Sequence, residues 1–150
     1  MKKLTQLVLC VIALMPLLVS AQQPDSSTRN NFPLIASWRP TSLYGQSLSS
    51  DDRSRFTLIL GNRGYSSNAL AVASTDHNEF RGFYEVNGDA LHIQFESGTA
   101  VAIKIGDDPY FSFMKALGEA SNFKIRGTQL ELLNRDGAVI ASLVRDEDHR

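Results

Sequence analysis

The stretch that decides the fold is "NEFRGFYEVNGDALHIQF", residues 78–95. Asn87 and Gly88 form a strong hairpin signal, because both residues accept the positive φ angles of a type I′ turn. A two-residue turn at this dipeptide predicts that Tyr84 lies opposite Leu91 on the neighbouring strand. The segment therefore predicts two antiparallel strands joined by a tight turn.

Alternation along these two strands separates apolar from polar side chains, because successive side chains point to opposite faces of a sheet. The face predicted to be buried carries Phe80, Gly82, Tyr84, Leu91, Ile93 and Phe95. The opposite face carries Arg81, Phe83, Glu85, Ala90, His92 and Gln94. An amphipathic hairpin thus accounts for most of the ionisable residues that crowd into this part of the chain.

Short apolar or β-branched runs, separated by glycine, extend the strand pattern to both sides of the hairpin. They are "RFTLIL" (55–60), "TAVAIKI" (99–105), "NFKIR" (122–126), "TQLELL" (128–133) and "AVIASLV" (138–144). A second reversal is predicted at Asp136-Gly137, with Leu130 opposite Leu143. The segments 41–54 and 61–67 are predicted to be long loops.

One segment has a helical period instead. In "DDPYFSFMKALGEA", residues 107–120, Pro109 stands at the first helical position. Apolar residues follow at the spacing i, i+3, i+4, i+7 of a helix face, namely Tyr110, Phe113, Met114 and Leu117. These four side chains are predicted to face the strands, where they enclose a cavity for an apolar ligand or form a filled core.

The predicted fold class is mainly β (α+β). It consists of an antiparallel, strongly curved sheet or half-barrel of about eight strands, with one amphipathic helix over about 108–120 packed across it or plugging one end.

The first 21 residues have the pattern of a secretory signal peptide, with Lys2 and Lys3 before an apolar run and small residues before a cleavage site at Ala21. The run is shorter than the ~20 apolar residues that span a bilayer. We therefore predict export to the bacterial periplasm or cell envelope, or secretion, and a mature protein that does not span the membrane. Cleavage would also remove Cys10, the chain's single cysteine, so the core alone must stabilise the fold.

The mature chain is predicted to consist of a flexible polar leader (22–33), one domain (34–145) and a charged tail (146–150). Loss of the two amino-terminal lysines lowers the formal net charge from −1 to about −3. Its basic residues are scattered rather than clustered, which argues against a nucleic-acid partner. No cofactor-binding motif occurs, and no cofactor is predicted.

Two short patterns suggest chemistry but lack the residues that it requires. His77 and Glu79 could form a zinc half-site as in deaminases, yet those enzymes also need two cysteines. "SFMK", residues 112–115, matches the S-x-x-K of serine acyl-transfer enzymes without their other motifs. No catalytic or metal-binding residue is therefore predicted. The alternative hypothesis is a small hydrolase or metal-dependent enzyme that uses Asp76, His77 and Glu79.

The order of these segments resembles the META domain family of HslJ-like bacterial proteins over residues 34–145. The residues that match the family's N-x-F-x-G-x-Y motif, its next threonine and its late L-x-L strand are Asn78, Phe80, Gly82, Tyr84, Thr99, Leu130 and Leu132. The resemblance implies a small, non-enzymatic, β-rich envelope or secreted protein linked to stress. Its expected partner is an unidentified envelope protein or an apolar ligand.

The sequence departs from the family at two cysteine positions. Asp76 and His77 stand where the family usually has Gly-Cys, and Ile103 stands at the second cysteine position. A redox or cross-linking role of that cysteine pair is therefore excluded for this chain. The motif residues themselves are expected to have a structural role.

Overall fold

The computed structural model describes residues 33–63, 69–99 and 108–147. Within these ranges nine strands form one antiparallel sheet, accompanied by two helices. In chain order the elements are β1 (Ala36–Leu43), β2 (Gln46–Ser47), α1 (Ser50–Arg55), β3 (Thr57–Arg63), β4 (Ala69–Ser74), β5 (Glu79–Asn87), β6 (Ala90–Gly98), α2 (Asp108–Glu119), β7 (Asn122–Arg126), β8 (Gln129–Leu133) and β9 (Val139–Arg145). The predicted mainly-β class, with a curved antiparallel sheet, is confirmed.

The sheet curves into a ring because β1 pairs with both β3 and β9. Trp38 has Leu58 as its partner on one side and Arg145 on the other. All other neighbours follow chain order, from β3 through to β9. The weakest junction lies between β6 and β7, where a single pair, Ala90 and Asn122, joins the strands. We call this junction the seam.

The interior of the ring holds one hydrophobic core to which α2 contributes. Among its largest fully buried side chains are Trp38, Phe56, Phe113, Leu117, Leu130 and Leu143. The rings of Phe56 and Phe113 lie 5.1 Å apart between centroids, which ties α2 to the start of β3. The indole Nε1 of Trp38 donates to the carbonyl oxygen of Leu34 at 2.9 Å, so its one polar group is satisfied inside the core.

Helix α2 agrees with the prediction of a helix over about 108–120. Its apolar stripe faces the core, with Phe113 and Leu117 fully buried and Met114 half-buried at the edge. The prediction of a single helix is wrong, because α1 precedes β3. The hydroxyl of Ser49 caps α1 by accepting a hydrogen bond from the backbone N of Asp52 at 3.1 Å.

The hairpin β5–β6 has the predicted faces but not the predicted register. Tyr84 lies opposite Ile93 rather than Leu91, and the turn consists of Gly88 and Asp89 between the paired residues Asn87 and Ala90. Of the turn residues only Gly88 has a positive φ, of 64°, and a glycine in the first place of a two-residue loop is the pattern of a type II′ turn. The register error is two residues, so every side chain keeps its predicted face.

A bulge between Arg81 and Gly82 shifts the register once more along the hairpin. A Cβ atom added at Gly82 would lie 1.8 Å from the carbonyl oxygen of Gln94 and 2.7 Å from the Cα of Phe95. The backbone of β6 thus occupies the space that a side chain on Gly82 would need.

Both predicted long loops contain regular structure. The segment 41–54 includes the end of β1, all of β2 and most of α1, with a tight turn at Tyr44 and Gly45, whose φ angles are 48° and 79°. In the segment 61–67, Gly61–Arg63 continue β3. The sequence patterns did not predict these elements, because the elements are short and largely exposed.

The second predicted reversal is confirmed. Leu130 lies opposite Leu143, and Gly137 has a φ of 79°. Several predicted segments lie outside the described residues: the signal peptide 1–21, the leader apart from Pro33, most of the strand 99–105, and residues 148–150 of the tail.

Replacement of Gly82 by alanine tests the contact between the two hairpin strands. Gly82→Ala is expected to lower the free energy of unfolding by about 2–4 kcal/mol, because the new methyl group collides with backbone atoms that cannot move independently. Gly118→Ala is the matched control, since nothing lies within 4 Å of its Cβ position and alanine favours a helix by about 0.5–1 kcal/mol. Urea unfolding monitored by Trp38 fluorescence measures the free energy of unfolding of both variants. Equal stability of the two would contradict a tight contact between Gly82 and the backbone of β6.

Candidate functional site

The polar residues named by the enzyme hypothesis lie at an exposed turn and at the start of β5. Asp76 accepts a hydrogen bond from Nε of Arg55 at 3.2 Å, and His77 Nε2 lies 3.5 Å from the same carboxylate. The His77 side chain is 63% exposed. Glu79 accepts from Nε of Arg81 at 2.6 Å and so pairs within its own strand. The three residues form surface ion pairs rather than a shared concave site.

The remaining chemical candidates are also separated. His92 lies opposite Glu85 on the outer face of the hairpin. Within the S-x-x-K pattern, Lys115 places its amine 3.8 Å from Glu119 and 5.1 Å from the ring centroid of Tyr44. Among the described residues no group of three histidine, cysteine, aspartate or glutamate side chains is arranged to hold a metal ion.

Asn78 and Thr99 of the family motif contact each other and join the β4–β5 turn to the end of β6. Asn78 is buried, and its side-chain oxygen accepts from the hydroxyl of Thr99 at 3.2 Å. The same hydroxyl accepts from the backbone N of Glu79 at 2.9 Å. Thr75 completes the turn, because its hydroxyl accepts from the backbone N of Asn78 at 2.9 Å. The pair therefore fastens the end of β6 to the turn between β4 and β5.

The aromatic members of the motif pack β5 against its neighbours. The ring of Phe80 covers Gly98, where an added Cβ would lie 2.4 Å from the ring, and meets Phe95 edge-on at 6.3 Å between centroids. Tyr84 is buried, and its hydroxyl donates to the carbonyl oxygen of Gly61 at 3.0 Å. Together with Gly82, these contacts give each residue of the motif a place in the packing of the sheet.

The four residues predicted to line an apolar cavity lie on the inner face of α2. Phe113 is 0% and Leu117 1% exposed, Tyr110 is buried, and Met114 is half-buried. Phe113 and Leu117 belong to the same core cluster as Trp38. A ligand site among these residues remains a prediction.

A cleft of about 710 Å³ opens elsewhere, at the seam. Three chain segments form it: the tip of the β5–β6 hairpin, the end of α2, and the turn between β8 and β9. We call it the hairpin cleft. The apolar side chains of its lining include Leu91 and Ala120, both buried, and half-buried Val86, and we call these three the floor. The volume falls within the ~300–1,000 Å³ of small-molecule sites in proteins.

The rim of the hairpin cleft is charged. Glu85, Arg135 and Asp136 are exposed there, and within the described part of the chain none of them has an ion-pair partner within 4 Å. Glu119, by contrast, accepts a hydrogen bond from the hydroxyl of Tyr44 at 2.8 Å. Burial, together with this hydrogen bond, raises the pKa of Tyr44. The rim thus presents charges of both signs to solvent beside an apolar floor.

Sequence patterns did not indicate the hairpin cleft. Its lining comes from residues 85–92, 118–121 and 134–136, which are far apart in the chain and meet through strand pairing at the seam. Each segment reads only as a turn or an element end. The order of the strands around the ring, which no local pattern specifies, brings them together.

The architecture and the motif contacts agree with a comparison against known families. The family model for the META domain matches residues 33–147. The chain belongs to the META domain family. In this META domain the first family cysteine position is occupied by His77 at the exposed β4–β5 turn, and the second, Ile103, lies outside the described residues.

Two solved structures share the fold of this META domain. A DUF4847 family protein from Bacteroides vulgatus superposes with a TM-score of 0.58 at 11% identity, over 78% of this chain and 96% of that chain. A protein from Burkholderia xenovorans, solved by NMR, gives a TM-score of 0.53 at 17% identity, over 91% of this chain and 99% of that chain. No curated protein matches. Of the described helices, none is long and apolar enough to cross a membrane.

Replacement of Thr99 tests the structural role of the Asn78–Thr99 contact. Thr99→Val keeps the side-chain shape but removes both hydrogen bonds of the hydroxyl, and is expected to lower the free energy of unfolding by about 1–2 kcal/mol. Thr99→Ser retains the hydroxyl and should stay within about 0.5 kcal/mol of the wild type. Thermal unfolding followed by circular dichroism distinguishes the two variants, and a valine variant as stable as the serine variant would show that the contact contributes little.

Proposed function

We propose that this META-domain protein is an exported, non-enzymatic binding module of the bacterial cell envelope, and that a partner protein docks at the hairpin cleft. The observation that carries the proposal is the lining of the cleft, where the apolar floor of Val86, Leu91 and Ala120 is bordered by exposed charged side chains. Protein interfaces commonly have this anatomy, with an apolar centre and a polar, solvent-accessible rim.

The proposal assigns no catalytic role to the protein, and the positions of the reactive side chains support this choice. A catalytic site requires a nucleophile, a base and a stabilising donor that converge on one reacting atom in a concave site. Asp76 is held by Arg55, Glu79 by Arg81, and His77 points its ring toward solvent at the β4–β5 turn. These side chains instead form local contacts at the protein surface.

A partner protein fits the hairpin cleft better than a lipid does. A lipid tail gains about 0.8 kcal/mol per buried CH₂ only where the surrounding surface is apolar, whereas the rim here carries Glu85, Arg135 and Asp136. An apolar ligand beneath α2 would have to displace core side chains, because Phe113 and Leu117 are buried there. A surface that combines apolar and charged groups favours a polypeptide as its partner, because a polypeptide carries side chains of both kinds.

Export and a stress-related role complete the proposal and derive from the sequence and the family. Residues 1–21 would act as a signal peptide, so that the folded domain reaches the periplasm or the cell surface without a disulfide. The hydrophobic core inside the closed ring supports such a domain, since it includes many fully buried side chains.

Export is tested by the mass of the protein recovered outside the cytoplasm. We expect the mature chain to start at Gln22, because the small residues before it form a signal-peptidase site. Intact-mass spectrometry of the periplasmic and culture fractions measures this directly. A protein that retains Met1–Ala21, or that is found with the cytosol, would be inconsistent with export.

Docking at the hairpin cleft is tested by filling the cleft. Ala90 is exposed and lines the cleft, so Ala90→Trp is expected to reduce capture of envelope proteins by tagged protein by about tenfold or more. Ser97→Trp is the matched control, since Ser97 is exposed at the other end of the same strand. Cross-linking in the envelope fraction, followed by quantitative mass spectrometry, gives the ratio between variants of equal thermal stability. Equal capture by the two variants would place the partner elsewhere.

A further inference from the structure

We infer that the hairpin cleft receives a positively charged side chain, an arginine or lysine of the partner protein. This inference rests on the proposed function and names the chemistry of its ligand. Three features of the cleft point to a cation with an apolar stem: the end of α2, the carboxylates of the rim, and the apolar side chains of the floor.

Helix α2 ends at the cleft, where Gly118, Glu119 and Ala120 contribute to the wall. The carboxyl-terminal end of a helix carries a partial negative charge of about half a unit, because its last carbonyl groups have no partner within the helix. Basic side chains often compensate this charge, but α2 has no basic residue in its last turn. The helix thus presents an electronegative end to whatever occupies the cleft.

The carboxylates of the rim add to this charge. Glu85 stands on the hairpin and Asp136 on the β8–β9 turn, and no described cation lies within 4 Å of either. Among the described residues that line the cleft, Arg135 is the one permanent positive charge, and it is exposed at the turn. Lys115 lies beside Glu119 but its side chain is 63% exposed, so solvent screens that pair. Carboxylates outnumber the permanent cations around the opening.

The floor matches the stem of a long basic side chain. Arginine and lysine bury their methylene groups on apolar surface while the charged end remains at a polar rim. Val86, Leu91 and Ala120 provide that surface below the carboxylates. Arginine is the stronger candidate, because its planar guanidinium pairs with a carboxylate through two parallel hydrogen bonds. A free polyamine also combines positive charge with methylene segments, but its ammonium groups lack the planar pair of donors that matches a carboxylate.

Fluorescence anisotropy with a matched pair of peptides tests the inference. The probes are the capped, fluorescein-labelled tripeptide Leu-Arg-Leu and the same peptide with citrulline in place of arginine, which keeps the shape and removes the charge. The arginine peptide is expected to bind the purified protein saturably, and the citrulline peptide about tenfold or more weakly. The double variant Glu85→Gln/Asp136→Asn should weaken the arginine peptide about tenfold, whereas Glu96→Gln, a carboxylate change at the far end of β6, should leave it unchanged.

The outcomes separate this inference from the proposed function. Equal affinity for the arginine and citrulline peptides, affinity unaffected by the double variant, or no binding of either peptide would each overturn the choice of a cationic side chain. Displacement of the arginine peptide by an equimolar amount of spermidine would overturn the arginine or lysine side chain in favour of a small organic cation. None of these results alters the capture of envelope proteins by the Ala90→Trp and Ser97→Trp variants, which tests docking at the cleft by itself.

Discussion

The pairing of β1 with β9 is the constraint on which the rest of this META domain depends. It joins the first long strand to the last, so the sheet must curve through a full turn, and its inner face becomes an enclosed core. The chain secures this closure with a partly buried ion pair, in which Nε of Arg39 lies 2.7 Å from the carboxylate of Asp146. Beside it, the backbone N of Asp146 donates to the carbonyl oxygen of Ser37 at 2.8 Å. Closure also protects β1 and β9, whose backbone groups would otherwise form exposed edges.

Closure of the ring determines where a binding site can form. Most neighbouring strands share several residue pairs, but β6 and β7 share one, between Ala90 and Asn122. Near that pair the backbone N of Leu91 donates to the carbonyl oxygen of Ser121 at 2.9 Å, which links the hairpin to the chain leaving α2. Beyond this point the described strands separate. The hairpin cleft lies at the divergence, because there the hairpin tip, the helix end and a turn surround a space that no ladder fills.

Much of the fold could be predicted from the sequence because the signals that determine it are local. Alternation of side chains gave the faces of β5 and β6, and the spacing of Phe113 and Leu117 gave the inner face of α2. The register of the hairpin could not be predicted from Asn87-Gly88 alone. A turn that begins one residue later changes the pairing by two residues without exposing any apolar side chain, so the hydrophobic pattern does not discriminate between them.

The parts that could not be predicted depend on contacts distant in sequence or on short exposed elements. Helix α1 has six residues, none of them buried, and therefore no apolar period; its cap at Ser49 and the charges of its first and last turns were the available signals. The bulge at Gly82 depends on the approach of Gln94, which is visible only once both strands are placed. The hairpin cleft could not be predicted either, because its three segments meet only through the order of strands around the ring.

The fold constrains the residues of the family motif more strongly than those of the hairpin cleft, and this difference has a physical basis. Each motif residue is constrained by an atom of another strand: Asn78 by the hydroxyl of Thr99, Gly82 by the backbone at Gln94, and Tyr84 by the carbonyl oxygen of Gly61. A substitution there disturbs the path of the sheet. The cleft residues Glu85 and Asp136, in contrast, are exposed at a strand end and a turn, and replacing their side chains leaves the ladder intact. A ring held by the motif can therefore keep its fold while the charges around the cleft change.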